Sequence, residues 1–216
     1  NTWDFRTANT KEYTHCYHNY PAMMIPQIAS RLITEYGRGA KTLFDPYCGT
    51  GTSLVEANIN GIDAYGTDLN PMAQLIAKAK TSKIELQILD LYLKEFNDYL
   101  FALNFGIKKL NIIVPTFKNI DFWFKEETKN TLAIIKQFID NIKDKKVQRF
   151  FLVAFSETIR ESSLTRNNEF KLYRMSEKQR ENFNPDVFGM INLKLVRYRI
   201  GLKNYIKKNH NSVNAH

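Results

Sequence analysis

Cysteine is nearly absent. Cys16 and Cys48 are the two in 216 residues, too few for a disulfide framework, so a reducing cytoplasm is the expected setting. No apolar run approaches the roughly 18 residues of a membrane span, and no signal-peptide pattern opens the chain, so no membrane partner is expected. Internal repeats and low-complexity tracts are also lacking. Acidic residues are scarce in one region only. Residues 142–216 hold 16 Lys/Arg against 7 Asp/Glu, whereas the residues before them hold 15 of each, so the whole net charge of +9 lies in the final third. What is present, 44% hydrophobic and 25% charged residues, is the composition of a globular domain with a real core. A neutral body with a basic end suits a polyanionic partner, nucleic acid first. A solvated helical surface explains the same charge, and both readings stand on composition alone.

Hydrophobic periodicity divides the chain near residue 86. Before it, Ile25, Ile28, Ala29, Leu32, Ile33 and Tyr36 mark one face of a helix that Gly37 and Gly39 stop. Lys41 to Asp45 reads as a short buried strand ending in a carboxylate. A glycine turn follows, then a helix from about Ser53 to Asn60. Ile62 to Asp68 reads as a second strand, and Pro71 opens a helix through Ala73, Ile76, Ala77 and Lys80. Strand–turn–helix repeated twice is the unit of a parallel α/β sheet. After residue 86 the pattern is mostly helical. Leu132, Ile135, Ile139 and Ile142 form one stripe, and Val147, Phe150, Phe151, Ala154 and Phe155 another. Ser162 to Asn168 and Asn182 to Pro185 break the pattern, and a basic helix, roughly Phe188 to Lys208, closes the chain. The expected division is residues 1–85 as an α/β part and 86–216 as a helical part, basic from about 142.

The sharpest local signal is Asp45-Pro46-Tyr47-Cys48-Gly49-Thr50-Gly51-Thr52-Ser53. Two glycines at a strand-to-helix turn let a ligand approach backbone amides and the helix N-terminus. The spacing from Asp45 to Asp68 fits the roughly 20 residues that separate such a loop from a ribose-binding acid. Leu54 occupies the place of the third glycine of a pyrophosphate loop, and no lysine follows as in a triphosphate loop. Asp45 would repel phosphate and suits a cationic amine or sulfonium, which points to S-adenosylmethionine (AdoMet). An ordinary turn capped by Thr52 or Ser53 is the plain alternative. Cys48 has no His or basic partner near it in sequence to make it a nucleophile. His15, Cys16 and His18 have poor spacing for a metal, so no metal site is expected and they read as pocket or packing residues. Trp3, Phe5 and Tyr13 read as residues pinning a terminal arm to the core.

The runs DPYCGTGTSLVEA and GIDAYGTDLNPMA resemble motifs I and II of the AdoMet-dependent amino-group methyltransferases, which include DNA adenine-N6 and cytosine-N4 enzymes and some RNA guanine-N2 enzymes. HNYPAMMIPQIASRLI, from His18, is similar to motif X of the DNA enzymes. FSETIRESSLTRNNEFKLYRM, from Phe155 to Met175, resembles the segment those enzymes carry before their catalytic motif. The resemblance implies a partial Rossmann-like class I methyltransferase sheet, an α/β fold with a mostly helical second half, and AdoMet as cofactor. It implies that Asp45 and Gly49 to Gly51 line the methionine end of AdoMet, with Pro46, Tyr47, Cys48, Thr50, Thr52 and Ser53 completing the loop. Asp68 would take the ribose hydroxyls, and Leu69 or Asn70 would lie on the adenine. Tyr20, Pro21 and Ala22 would border the cofactor from the motif X side. Arg160, Ser162, Arg166, Asn167, Lys171 and Arg174 become candidates for contact with double-stranded DNA.

One departure is decisive for the expected role. These enzymes act through a (D/N/S)PP(Y/F/W) motif that binds the target amino group and stacks on the flipped base. This sequence contains no Pro-Pro. The expectation is therefore the AdoMet-binding half of a site-specific DNA methyltransferase of a restriction–modification or orphan system. A (D/S)PPY-bearing subunit or C-terminal half would complete it. An RNA guanine-N2 methyltransferase fragment and a non-catalytic AdoMet- or DNA-binding regulatory subunit are the alternatives.

Overall fold

The computed structural model describes residues 3–21, 23–106, 111–166, 171–209 and 213–216, with Asn104 described by its backbone alone. It divides into two compact units, one of residues 1–86 with 196–216 and the other of residues 87–195. The last residues, which periodicity groups with the helical part, thus belong to the first unit.

In the first unit a short 3-10 turn at Tyr13–Cys16 precedes α1 (Pro26–Tyr36), β1 (Thr42–Asp45), α2 (Thr52–Ile59), β2 (Asp63–Gly66) and α3 (Pro71–Thr81). The boundaries follow from local chemistry. Pro26 and Pro71 stand at first-turn positions, where a missing N–H costs nothing. The Asn70 side chain caps α3 by accepting from the Met72 N–H at 2.9 Å. Gly37 ends α1, its N–H donating to the Ile33 carbonyl at 2.8 Å.

β1 and β2 pair in parallel, Thr42 opposite Asp63 through Asp45 opposite Gly66. On the far side of β2 the last residues add a further parallel pairing, with Ala215 opposite Ala64. The Ala64 N–H donates to Asn214 and the Gly66 N–H to His216, each at 2.9 Å. Leu43 and Ala64 face Ile33 of α1 and Leu54 and Ala57 of α2, which together form the core of this unit.

The strand expected to be buried is not. Side chains alternate along a strand, so Phe44 and Tyr65 point to the face opposite the α1 and α2 core, and Phe44 is 65% exposed. A parallel strand is buried on both sides only where helices cover both faces. The second strand also ends earlier than expected, at Gly66, which leaves Asp68 in the loop beyond it.

The second unit is helical among its described residues. α4 (Leu86–Asn104), α5 (Ile120–Trp123), α6 (Glu126–Asn141), α7 (Lys145–Ser162) and α8 (Glu177–Asn182) follow in order, and α9 (Val187–Lys208) begins here and ends among the residues of the first unit. Asp144 caps α7 through the N–H groups of Lys146 and Val147, at 2.8 and 3.0 Å. Ser176 and Gln179 form a capping box on α8. Phe96, Phe138 and Phe151 pack as an aromatic cluster with ring centroids 5.0 to 5.9 Å apart. The stripes anticipated on α6 and α7 are buried, including Ile135, Ile139, Phe150, Phe151 and Ala154. No helix among the described residues is long and apolar enough to cross a membrane.

Candidate cofactor site

The loop between β1 and α2 is held by its own polar groups and by the loop after β2. Asp45 ends β1, and its carboxylate accepts from the Tyr47 N–H at 3.0 Å and from the Ser53 hydroxyl. The Gly51 N–H donates to the Cys48 carbonyl at 2.7 Å, closing a tight turn. Gly49 and Gly51 both have positive φ, +50° and +78°, where an L side chain is strained. A side chain at Gly51 would meet Ala77 of α3 at 2.9 Å, whereas the space in front of Gly49 is open.

The second carboxylate joins the two loops. Asp68 accepts from the Gly49 N–H at 3.0 Å through Oδ2 and from the Asn70 N–H at 2.8 Å through Oδ1. The Gln74 side chain donates to the Asp68 carbonyl. Thr67 donates from its hydroxyl to the Pro46 carbonyl at 2.8 Å, and Cys48 N–H to the Thr67 carbonyl at 3.0 Å. The Asp68 carboxylate is therefore oriented by two amides and keeps further lone pairs for a ligand. Beside it Leu69 is fully exposed, and Asn70 donates from its side-chain amide to the Tyr20 hydroxyl at 2.6 Å. That bond brings the segment around Tyr20 and Pro21 next to the Asp68 loop, across fifty residues of sequence. Ala22 lies outside the described residues. A cavity of about 260 Å³ adjoins these groups, lined among others by Cys48, Gly66, Thr67, Asp68 and His216.

The electrostatics are anionic. Burial pushes the Cys48 thiol up, and the neighbouring carboxylates of Asp45 and Asp68 push it further in the same direction. Cys48 is thus a protonated wall residue and no thiolate nucleophile. The same two charges oppose a phosphate and favour a cation. Asp68 suits a vicinal diol, Asp45 a sulfonium or ammonium, and the open space at Gly49 admits a close ligand. This donor set fits the adenosyl and methionine ends of AdoMet.

Residues 12–97 match the family described as UPF0020: RMKL-like, methyltransferase domain. Over these residues the chain is similar to a methyltransferase domain. Its β1–α2–β2–α3 unit is the start of a Rossmann-like methyltransferase fold, and AdoMet is the methyl donor such a domain implies. The chain is 42% identical over 214 residues to Type II methyltransferase M.MvaI of Kocuria varians, covering 94% of this chain and 46% of that protein. It is 28% identical over 162 residues to Type II methyltransferase M.MjaII of Methanocaldococcus jannaschii, covering 69% of this chain and 30% of that protein. Type II methyltransferase M.BsoBI of Geobacillus stearothermophilus is 26% identical over 165 residues, covering 70% of this chain and 30% of that protein. The chain therefore spans less than half the length of these curated relatives. No solved structure matches it.

The candidate nucleic-acid residues lie in the second unit. Residues 164–166 and 173–175 run antiparallel: Arg166 N–H donates to the Tyr173 carbonyl, and Met175 N–H to the Leu164 carbonyl, each at 2.8 Å. Arg166 and Lys171 are exposed, and Arg166 lies over the Tyr173 ring. Arg174 is half-buried over the Phe122 ring, 4.0 Å from its centroid. Arg160 is half-buried at the end of α7. Asn167 lies outside the described residues. Ser162 departs from its expected position on a phosphate-facing break. It is 1% exposed, because at helical spacing it continues the buried stripe of Phe151, Phe155 and Thr158.

Sequence reasoning missed three features of the first unit. His15 is buried, as a packing residue would be, but its partner was not foreseen: it shares a 2.8 Å hydrogen bond with Glu56 of α2. The terminal pairing on β2 joins residues too few to carry a strand period. Lys80 is buried beneath the loop, and its only signal is a lysine on the apolar stripe of Ala73, Ile76 and Ala77.

Proposed function

We propose that this chain is the AdoMet-binding part of a site-specific DNA methyltransferase that modifies an exocyclic amino group of a flipped adenine or cytosine. The observation that carries the reading is the Asp68 carboxylate, held by the amides of Gly49 and Asn70 beside the Asp45 loop. Similarity to Type II methyltransferases over most of the chain supports DNA as the substrate. A (D/S)PPY motif in another chain or segment supplies contact with the target amine, since no Pro-Pro occurs here.

AdoMet supplies an electrophilic methyl group on a sulfonium, and transfer to nitrogen leaves a neutral thioether. The residues of this chain bind and orient. Asp68 would take the ribose hydroxyls, with Leu69 or Asn70 against the adenine. Asp45 and the Gly49–Gly51 turn hold the methionine end, with Tyr20 and Pro21 closing the opposite side. Such positioning is worth several orders of magnitude in rate when donor and acceptor are aligned in line. Proton acceptance from the amine falls to the PPY motif. Arg160, Arg166, Lys171 and Arg174, within the region of +9 charge, meet DNA phosphates and fix register rather than sequence. Ser162 is left out of this set by its burial.

The test is methyl transfer from tritiated AdoMet to duplex DNA and, separately, to tRNA. The chain is assayed alone and with a polypeptide bearing a (D/S)PPY catalytic half. The expected result is label in duplex DNA with both polypeptides present and little or none with the chain alone. Label in tRNA would replace the reading by RNA methylation. Robust DNA methylation by the chain alone would sink the division of labour. AdoMet binding without transfer in any combination would leave a regulatory subunit.

A further inference from the structure

Lys80 is a cation in the wrong place for a surface lysine. It stands on the inner face of α3 and is 1% exposed. Its ammonium lies 3.3 Å from the Thr50 hydroxyl and 4.0 Å from the Met23 sulfur. Among the described residues no carboxylate pairs with it. Its other electrostatic neighbours are Lys11, which opposes its charge, and the Cys16 thiol. His15, which feels the Lys80 charge, bonds to Glu56, and burial holds that imidazole on the neutral side. Burial with no counter-ion brings Lys80 down to about 7. A buried charge without a partner is expensive, and an apolar residue of similar length would serve packing better.

The position of this ammonium points to what completes it. Thr50 sits in the cofactor loop between Gly49, whose amide holds Asp68, and Gly51. Met23 follows the segment that Tyr20 fastens to Asn70. Lys80 and Met23 line a cavity of about 120 Å³ together with, among others, Lys11, His15, Pro26 and Thr52. Its polar lining is cationic and hydroxylic, opposite in character to the Asp45 and Asp68 side of the same loop. A ligand that is cationic at one end of the loop and anionic at the other would satisfy both. AdoMet carries a sulfonium and an ammonium, and its only anionic group is the methionine carboxylate.

We infer that Lys80 is the counter-ion of the AdoMet carboxylate, reached through the cavity between Met23 and Thr52, with the Thr50 hydroxyl holding the ammonium in place. This rests on the reading of the loop as an AdoMet site. It makes Lys80 a selector for the intact cofactor: an adenosyl ligand lacking the carboxylate leaves a buried cation unpaired.

Calorimetric titration of the chain and of Lys80→Met with AdoMet and with decarboxylated AdoMet tests it. In the unaltered chain AdoMet should bind about 10- to 100-fold tighter than the decarboxylated ligand, the worth of a charge-assisted contact. In Lys80→Met that preference should vanish through weaker AdoMet binding alone. The ligand-free variant should melt no lower than the parent, since an unpaired buried charge has been removed. AdoMet affinity unchanged in Lys80→Met would overturn the inference and leave the AdoMet site standing. Equal weakening of both ligands with a lowered melting temperature would make Lys80 a structural residue and overturn it as well. Failure of the unaltered chain to bind either ligand would overturn the AdoMet reading itself.

Discussion

Asp68→Ala is expected to weaken AdoMet binding by at least about 100-fold. The carboxylate makes two kinds of contact at once. It orders the loop through the Gly49 and Asn70 amides, at 3.0 and 2.8 Å, and it offers its remaining lone pairs to the ribose diol. Hydrogen bonds to a charged group are worth about 1.5–3 kcal/mol each. Losing two from the ligand therefore exceeds the roughly 2.7 kcal/mol that corresponds to 100-fold. Asp68 is partly exposed and lies outside the apolar core, so the variant should remain folded. Asp68→Asn should fall between the two, because an amide retains one acceptor and loses the charge. Calorimetric titration of the three proteins with AdoMet gives the order directly. Equal affinity across the series would remove Asp68 from the site.

Gly51→Val should damage both fold and binding. At φ +78° an L residue is strained by about 1–2 kcal/mol. The added Cβ would also stand 2.9 Å from the Cβ of Ala77, and overpacking of this kind costs about 1–3 kcal/mol. Together these predict a loss of about 3 kcal/mol in the first unit and a fall in melting temperature on the order of 10 °C. They also predict loss of AdoMet binding, because relief comes only by moving the turn that presents the Gly49 amide to Asp68. A melting scan and a titration measure the two effects. A valine variant that melts and binds like the parent would mean that the turn is not rigidly packed on α3.

How much of this was legible in the sequence depends on how local each cause is. The loop from Asp45 to Ser53 and the start of α3 at Asn70-Pro71 announce themselves, because glycine, proline and the Asx cap act within a few residues. The α6 and α7 stripes are equally local, and the same period places Ser162 among buried residues once Phe155 and Thr158 are followed one turn further. Exposure of Phe44 was not legible, since a short apolar strand looks the same whether one face or both are covered. The Tyr20–Asn70 bond and the His15–Glu56 pair join residues fifty and forty-one positions apart. Neither has a sequence signature. Lys80 is intermediate: its place on the stripe is written in the α3 period, but the absence of an acid paired with it among the described residues is a fact of three dimensions. The pairing of residues 214–216 with β2 is set by the neighbouring strand rather than by any propensity of their own.

The central claim is that the loops after β1 and β2 are one AdoMet site. A crystal structure of the chain with AdoMet tests it most directly. The expected result is both ribose hydroxyls on the Asp68 carboxylate, the methionine end along Asp45 and the Gly49–Gly51 turn, and the adenine against Leu69 or Asn70. Cofactor bound elsewhere on the chain, or bound here with its ribose out of hydrogen-bond reach of Asp68, would contradict it.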